Sequence, residues 1–231
     1  MLYDSVTEKY YIFIDKQLAF FILSDDLFVS FFSKLDTAQY NIAINQKILA
    51  INILAHELSH VEFNICVKRP EPRKSLLSGL VQQAYILLDE YYACRKAAAF
   101  SPKSLSDDDE FIFQLEKQIA TYRWDYKTGQ MALDQFCKQF HSLTEMVLIR
   151  LVSVLGAFHA LGNEKLPFQS ACISKRAPIF STEFNVLFRK IASGGSPSMP
   201  SSITYAIYSY FKDLGVEIKD TSKGLYYHIP D

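Results

Sequence analysis

The chain has 231 residues, of which 49% are hydrophobic, enough to bury a substantial core in what we expect to be one main domain. Its 24 basic and 25 acidic residues leave a net charge of −1, which argues against a nucleic-acid binder or a protein that binds anionic membranes. The four cysteines form no Cys-x-x-Cys pair, which argues against a closed structural zinc site and favours a reducing compartment.

The first part of the chain predicts small β elements and one helix. Residues 10–15 and 18–23 are rich in aromatic and β-branched side chains and predict a hairpin. The run Ser24-Asp25-Asp26 is typical of a helix N-cap and predicts a helix at 27–35. Residues 40–45 alternate between apolar and polar side chains, which predicts a strand directly before the next helix.

The next predicted helix carries the motif His56-Glu57-Leu58-Ser59-His60. Residues four apart lie one above the other on a helix, so both imidazoles can bind one metal ion. Glu57 lies about 100° round the helix, where it can act on a water molecule. The apolar run 48–55 precedes the motif, and the helix is expected to end before Pro70. This setting favours an open metal site with three protein ligands and a water molecule.

The third ligand must come from elsewhere in the chain. A metzincin motif would need a glycine and a histidine where this chain has Phe63 and Cys66. A carboxylate from the predicted helix 74–99 is the remaining common solution. Positions three, four and seven residues from Glu90 are mostly small or apolar, whereas those around Asp89 are more polar. We therefore expect Glu90 to face the site and Asp89 to be its neighbour.

These two helices resemble those of zincin-type metallopeptidases of the gluzincin kind, in which a second helix bears a glutamate ligand. The pattern Asp89-Glu90-Tyr91-x-Ala93-x-Arg95 is similar to the glutamate helix of small intracellular peptidases of bacteria and mobile elements. The resemblance covers roughly residues 36–100. Glu62 departs from the extended zincin pattern, which has an apolar residue two positions after the second histidine.

The resemblance implies that Zn²⁺ is held by His56, His60 and Glu90, with Glu57 as the general base. The expected function is zinc-dependent hydrolysis of peptide bonds, with an intracellular protein or peptide as substrate. The alternative is a zinc-holding interaction module without significant turnover. The resemblance also implies that the strand at 40–45 pairs with substrate, although an ordinary sheet strand is an equally good interpretation.

Several other side chains have two interpretations. Zincins often add a histidine or tyrosine that stabilises the oxyanion, and the candidates are His141, His159, Tyr91 and Tyr92. A packed, hydrogen-bonded role is the favoured interpretation of His159. Cys94, four residues after Glu90, is interpreted as a small buried side chain rather than a metal ligand.

The rest of the chain completes a mainly helical, zincin-like α+β fold. Further helices are predicted at 107–125, 130–161, 182–193 and 203–214. The Gly-, Ser- and Pro-rich segment predicts a linker at 194–202 between a peptidase domain, 1–193, and a C-terminal appendage, 203–231. A hairpin is expected in that appendage, with strands at 216–219 and 225–229.

We expect a soluble, cytoplasmic protein that does not bind membranes. Asp4, Glu8 and Lys9 interrupt the first ten residues, which is unlike a signal peptide. The most apolar run, 146–160, contains Arg150 and is shorter than the roughly 20 residues of a membrane span. The sequence does not indicate an oligomeric state.

Overall fold

The computed structural model describes residues 2–4, 9–11, 36–71, 75–100, 108–162, 168 and 170–230. These ranges are mainly helical, with two small antiparallel two-stranded sheets, so the coarse α+β prediction is confirmed. In chain order the helices are α1 (Thr37–Cys66), α2 (Leu76–Ala97), α3 (Asp108–Lys127), α4 (Leu133–Ala160), α5 (Ala171–Ala192) and α6 (Ser201–Asp213). A 3-10 turn, Ala98–Phe100, follows α2. The strands are β1 (Leu2–Asp4), β2 (Lys9–Tyr11), β3 (Glu217–Thr221) and β4 (Gly224–His228).

Helix α1 is much longer at its N-terminus than the sequence indicated. The predicted strand at 40–45 is wrong, because these residues lie inside the helix. The side chain of Asp36 caps the helix by accepting a hydrogen bond from the Gln39 amide at 2.9 Å. Ala43 and Ala50, seven residues apart, are both buried, which is the spacing of two helical turns. This segment therefore cannot pair with a substrate backbone as a strand would.

Helix α1 runs antiparallel to α2. In the middle of α1, the Asn52 side chain donates to the Ala97 carbonyl oxygen at the end of α2, at 2.7 Å. Near the C-terminal end of α1, the Tyr85 hydroxyl donates to Asn64 Oδ1 at 2.7 Å. The turns between these two contacts, which carry the predicted ligands, are therefore held side by side.

Helix α2 runs parallel to α4, and a glycine lets the two helices approach closely. A Cβ atom added to Gly156 would lie 2.6 Å from the Tyr91 carbonyl oxygen and 3.2 Å from Cys94 Cβ. Such a contact cannot be accommodated without a backbone shift. The close approach brings Ser153 of α4 to Glu90 of α2.

The hydrophobic core lies between α2, α4 and the later helices. Helix α4 supplies the largest share of buried positions, among them Phe136, Phe140, Val147, Leu148, Leu151, Val152 and Leu155. Residues of α5 and α6 belong to the same hydrophobic cluster as those of α2. The proposed division into a peptidase domain and an appendage stays a prediction.

The C-terminal elements follow the predictions closely, except for the start of α5. This helix begins at Ala171 rather than at about 182, with Ser170 as its N-cap and Pro178 inside it. Burial of its apolar face against the core offsets the lost backbone hydrogen bond at the proline. The C-terminal hairpin is confirmed, since β3 pairs with β4 from Glu217 opposite His228 to Thr221 opposite Gly224.

Two predicted elements lie largely or wholly outside the described residues. These are the second strand of the hairpin, 18–23, and the helix at 27–35. Strand β2 contains the start of the first predicted strand and pairs antiparallel with β1.

One helix of the described part, α4, is long and apolar enough to cross a membrane by length and composition. It has 28 residues, close to the predicted helix at 130–161, and it contains the shorter apolar run 146–160. Of its most apolar window, 56% is buried inside the protein, as in the core helix of a soluble protein. Length and composition are therefore weak support for a membrane span.

Candidate metal centre

The three predicted ligands meet between α1 and α2. The Nε2 atoms of His56 and His60 lie 3.0 Å apart. Glu90 Oε2 lies 3.8 Å from the first of these nitrogens and 3.7 Å from the second. The three side chains are mostly buried, with exposed fractions of 23%, 16% and 22%. The helix-face argument for Glu90 and the spacing of the two histidines thus lead to one cluster.

The separations in this cluster suit a small cation. Tetrahedral zinc with bonds of about 2.0–2.2 Å to nitrogen and oxygen separates its ligand atoms by about 3.3–3.6 Å. The three observed distances, 3.0, 3.7 and 3.8 Å, lie on both sides of that range. Two imidazoles and one carboxylate are also a donor set that catalytic zinc sites use. The residues present therefore fit zinc.

Asp89 has a different role from its neighbour. Its Oδ1 atom lies 2.6 Å from His60 Nδ1, the nitrogen that faces away from the cluster. Asn64 donates to Asp89 Oδ2 at 3.4 Å and to the His60 carbonyl oxygen at 2.7 Å, and Tyr85 donates to Asn64. A carboxylate on the far nitrogen of a metal-binding histidine fixes its tautomer and makes it a better ligand. Asp89 therefore orients His60.

Glu90 is oriented by two donors from behind. Ser153 Oγ donates to Glu90 Oε1 at 2.9 Å, and the Cys94 thiol donates to the same oxygen at 3.2 Å. This leaves Oε2 facing the imidazoles. Sequence reasoning missed Ser153, although it is a hydroxyl residue within the apolar run 151–155 of α4.

Cys94 lies near the cluster and offers a second donor set. Its Sγ atom is 3.8 Å from His56 Nδ1, and His56, Glu90 and Cys94 place donor atoms within 4.8 Å of one another. His56 contacts Cys94 through Nδ1 and His60 through Nε2, and one imidazole cannot direct both nitrogens at one ion. Burial and the charge of Glu90 hold the pKa of the Cys94 thiol far above its usual range. The thiol is thus a hydrogen-bond donor here.

The charges around the two histidines affect them differently. Burial lowers the pKa of His56 below its ordinary value, and the nearby Glu90 carboxylate opposes this only in part. For His60, burial also favours the neutral ring, but the hydrogen bond and charge of Asp89 outweigh it and raise the pKa. The charge of Glu57 raises the pKa of both imidazoles.

Glu62, where the sequence departs from the extended zincin pattern, lies on the outer side of α1. It forms an ion pair with Lys96 of α2 at 3.2 Å, and both side chains are more than 40% exposed. A charged residue is tolerated there because it faces solvent and not the metal cluster.

The histidine and tyrosine candidates for oxyanion stabilisation have other partners. His159 contacts Tyr91 through Nδ1 at 2.5 Å and Ser181 through Nε2 at 2.9 Å. His141 contacts the Tyr227 hydroxyl at 2.6 Å. Tyr92 is buried and packs on Phe63 and Phe188. The packed interpretation of His159 agrees with its partners.

The Ser181, His159 and Tyr91 contacts are arranged like a hydrolase triad, in which the serine donates its proton to the histidine. Here the hydrogen bonds have the opposite direction. Arg95 donates to the Tyr91 hydroxyl at 2.8 Å, so that hydroxyl donates its own proton to His159 Nδ1. Burial lowers the pKa of His159, which keeps the ring neutral with its proton on Nε2. His159 therefore donates to Ser181 and cannot accept its proton.

No family model, no curated protein and no solved structure matches this chain. The likeness to zincin peptidases therefore rests on the residues of α1 and α2 alone.

Proposed function

We propose that the protein is a zinc-dependent peptidase of the zincin type. The observation that carries the proposal is the convergence of three donor atoms, His56 Nε2, His60 Nε2 and Glu90 Oε2, within 3.8 Å on two packed helices. The motif that supplies the two imidazoles also supplies Glu57, whose charge raises the pKa of both rings.

Neighbouring side chains orient the three donor atoms. Asp89 holds His60, while Ser153 and Cys94 hold Glu90, so the three donor atoms are oriented before any metal binds. Bound zinc would supply a Lewis acid that polarises a substrate carbonyl and lowers the pKa of water towards about 7.

In this proposal Glu57 carries out the proton transfers. It would accept the proton of the attacking water and deliver it to the leaving amine, so one carboxylate acts as base and then as acid. The partner of the site is a protein or peptide substrate, and we place the reaction in the cytoplasm.

The proposal is tested by comparing new protein N-termini in cells that express the wild type or Glu57→Gln. The purified proteins, with zinc content measured, are then given the candidate substrates. We expect cleavage products that require Glu57. The absence of Glu57-dependent termini in cells, together with no cleavage by zinc-loaded protein, would overturn it.

Cys94 favours one second candidate, a zinc-holding interaction module without turnover. If His56 turned to present Nδ1, the Cys94 thiolate could complete a closed site. Cobalt substitution distinguishes the two functions, because a thiolate ligand gives a strong charge-transfer band that nitrogen and oxygen ligands lack. We expect no such band in the cobalt-substituted wild type. The spectrum of cobalt-substituted Cys94→Ser should be the same as that of the wild type.

A further inference from the structure

A cavity of about 490 Å³ lies away from the metal cluster, where the beginning of α2 meets α4, α6 and the β3–β4 hairpin. Its volume falls within the roughly 300–1,000 Å³ typical of ligand pockets. Polar and charged lining side chains include Gln83, His141, Glu145, Asp220, Thr221 and Ser222. None of the residues described so far as part of the metal cluster lines it.

Glu90 of the metal cluster and the cavity lie along the same seam of contact between the parallel helices α2 and α4. On α2, Gln83 lines the cavity seven residues before Glu90, and on α4, Glu145 lines it eight residues before Ser153. At 1.5 Å per residue, the two sites are separated by about 10–12 Å along the helices. That distance is spanned by about three residues of an extended peptide.

The seam between the two sites is partly open. Ile86 of α2 and Ile149 of α4 lie between them at helical spacing and are only half-buried. Met146, one residue after a cavity residue of α4, is 43% exposed. The exposed parts of these side chains offer apolar contacts to the side chains of a peptide that runs from one site to the other.

The charges of the cavity favour a cation. Glu145 and Asp220 contribute carboxylates, and no lysine or arginine is among the lining residues that the structure describes. The positive end of α2 is not open to an anion, because Asp220 accepts from the Leu76 amide at 2.8 and 3.1 Å. Within the described residues, no hydrogen bond or ion pair engages Glu145 or Gln83.

The walls suit a long aliphatic stem below a charged head. Leu80, Phe211 and Ile218 are buried side chains that line the cavity. His141 also lines the cavity, and its Nε2 atom contacts the Tyr227 hydroxyl. Lysine and arginine combine an apolar stem with a cationic head, so they match both the walls and the carboxylates.

We propose that this cavity binds a lysine or arginine side chain of the peptide substrate, about three residues from the bond that is cleaved. The inference rests on the proposed peptidase function, to which it adds a substrate class. Glu145 supplies the charge that recognises the cationic head.

The test uses binding, so that it does not depend on turnover. Zinc-loaded Glu57→Gln protein is titrated with fluorescein-labelled peptides in which one lysine is moved along an otherwise neutral sequence. A matched series carries norleucine in place of lysine. At the best position we expect lysine to bind at least about tenfold more tightly than norleucine. Adding Glu145→Gln should reduce this preference to less than about threefold, while adding Glu110→Gln, at an exposed acid of α3, should leave it unchanged.

The outcomes separate this inference from the proposed function. Equal binding of lysine and norleucine peptides, or a lysine preference that survives Glu145→Gln, would overturn the cavity assignment even if the enzyme cleaves peptides. A lysine preference that depends on Glu145, together with a wild type that cleaves no peptide, would support the binding site and refute the peptidase function. In active enzyme, Glu145→Gln should raise KM for lysine peptides with kcat unchanged.

Discussion

Replacing Asp89 and Glu90 one at a time distinguishes a metal ligand from a residue that orients one. Asp89→Ala removes the carboxylate that lies 2.6 Å from His60 Nδ1, but leaves all three donor atoms in place. Losing such a partner typically weakens metal binding about 10- to 100-fold, which is about 1.4–2.7 kcal/mol. Glu90→Ala removes one of the three donor atoms, so we expect it to lose most bound zinc.

The assay is competition for zinc with a chelator of known affinity, at neutral pH, on the two purified variants and the wild type. Asp89→Asn is the matched control, because an amide oxygen can still accept from His60 but carries no charge. Its zinc affinity should fall between those of the wild type and Asp89→Ala. A zinc affinity lower in Asp89→Ala than in Glu90→Ala would refute the assignment of the two acids.

Three further predictions concern the groups around the centre. Gly156→Ala should destabilise the fold by about 1–3 kcal/mol in urea unfolding, because the added Cβ would overlap the Tyr91 carbonyl oxygen; an ordinary helical glycine would gain stability from the same change. Ser153→Ala should weaken zinc binding by up to about tenfold while the urea midpoint stays near that of the wild type, since Glu90 keeps only its Cys94 donor. Burial lowers the pKa of His159 below 6.5, so as pH falls through 6.5 the unfolded chain takes up a proton that the folded chain does not. The free energy of unfolding of the wild type should therefore fall more steeply below pH 6.5 than that of His159→Gln. Unfolding free energies that change in parallel with pH in the two proteins would contradict this.

The helices of the site could be predicted because their signals are local. The periodic spacing around Glu90 lies within one segment, and the predicted helix at 74–99 is close to the observed bounds of α2, Leu76–Ala97. The strand prediction at 40–45 was wrong because the alternating pattern there is short. The helix is instead favoured by the Asp36 cap and by the burial of Ala43. The start of α5 was missed because packing against the core overrides the helix-breaking tendency of Pro178.

The donor atoms could be anticipated from sequence, but their supporting groups could not. The two histidines and Glu90 are specified by spacing on α1 and α2. Ser153 lies 63 residues beyond Glu90 and reaches it only because α4 packs parallel to α2 at Gly156. The cavity at the start of α2 likewise depends on four elements that meet only in the tertiary fold, so no single segment of the sequence indicates it.

Zinc stoichiometry and cleavage rate, measured side by side for the wild type, Glu57→Gln and His60→Ala, test the central claim most directly. The wild type and Glu57→Gln should each bind one zinc ion per chain, because the three donor atoms are untouched. Cleavage by Glu57→Gln should nevertheless fall by about 10²- to 10⁴-fold. His60→Ala should lose zinc and activity together. A zinc-loaded Glu57→Gln protein with full activity, or a wild type that binds no zinc, would contradict the account.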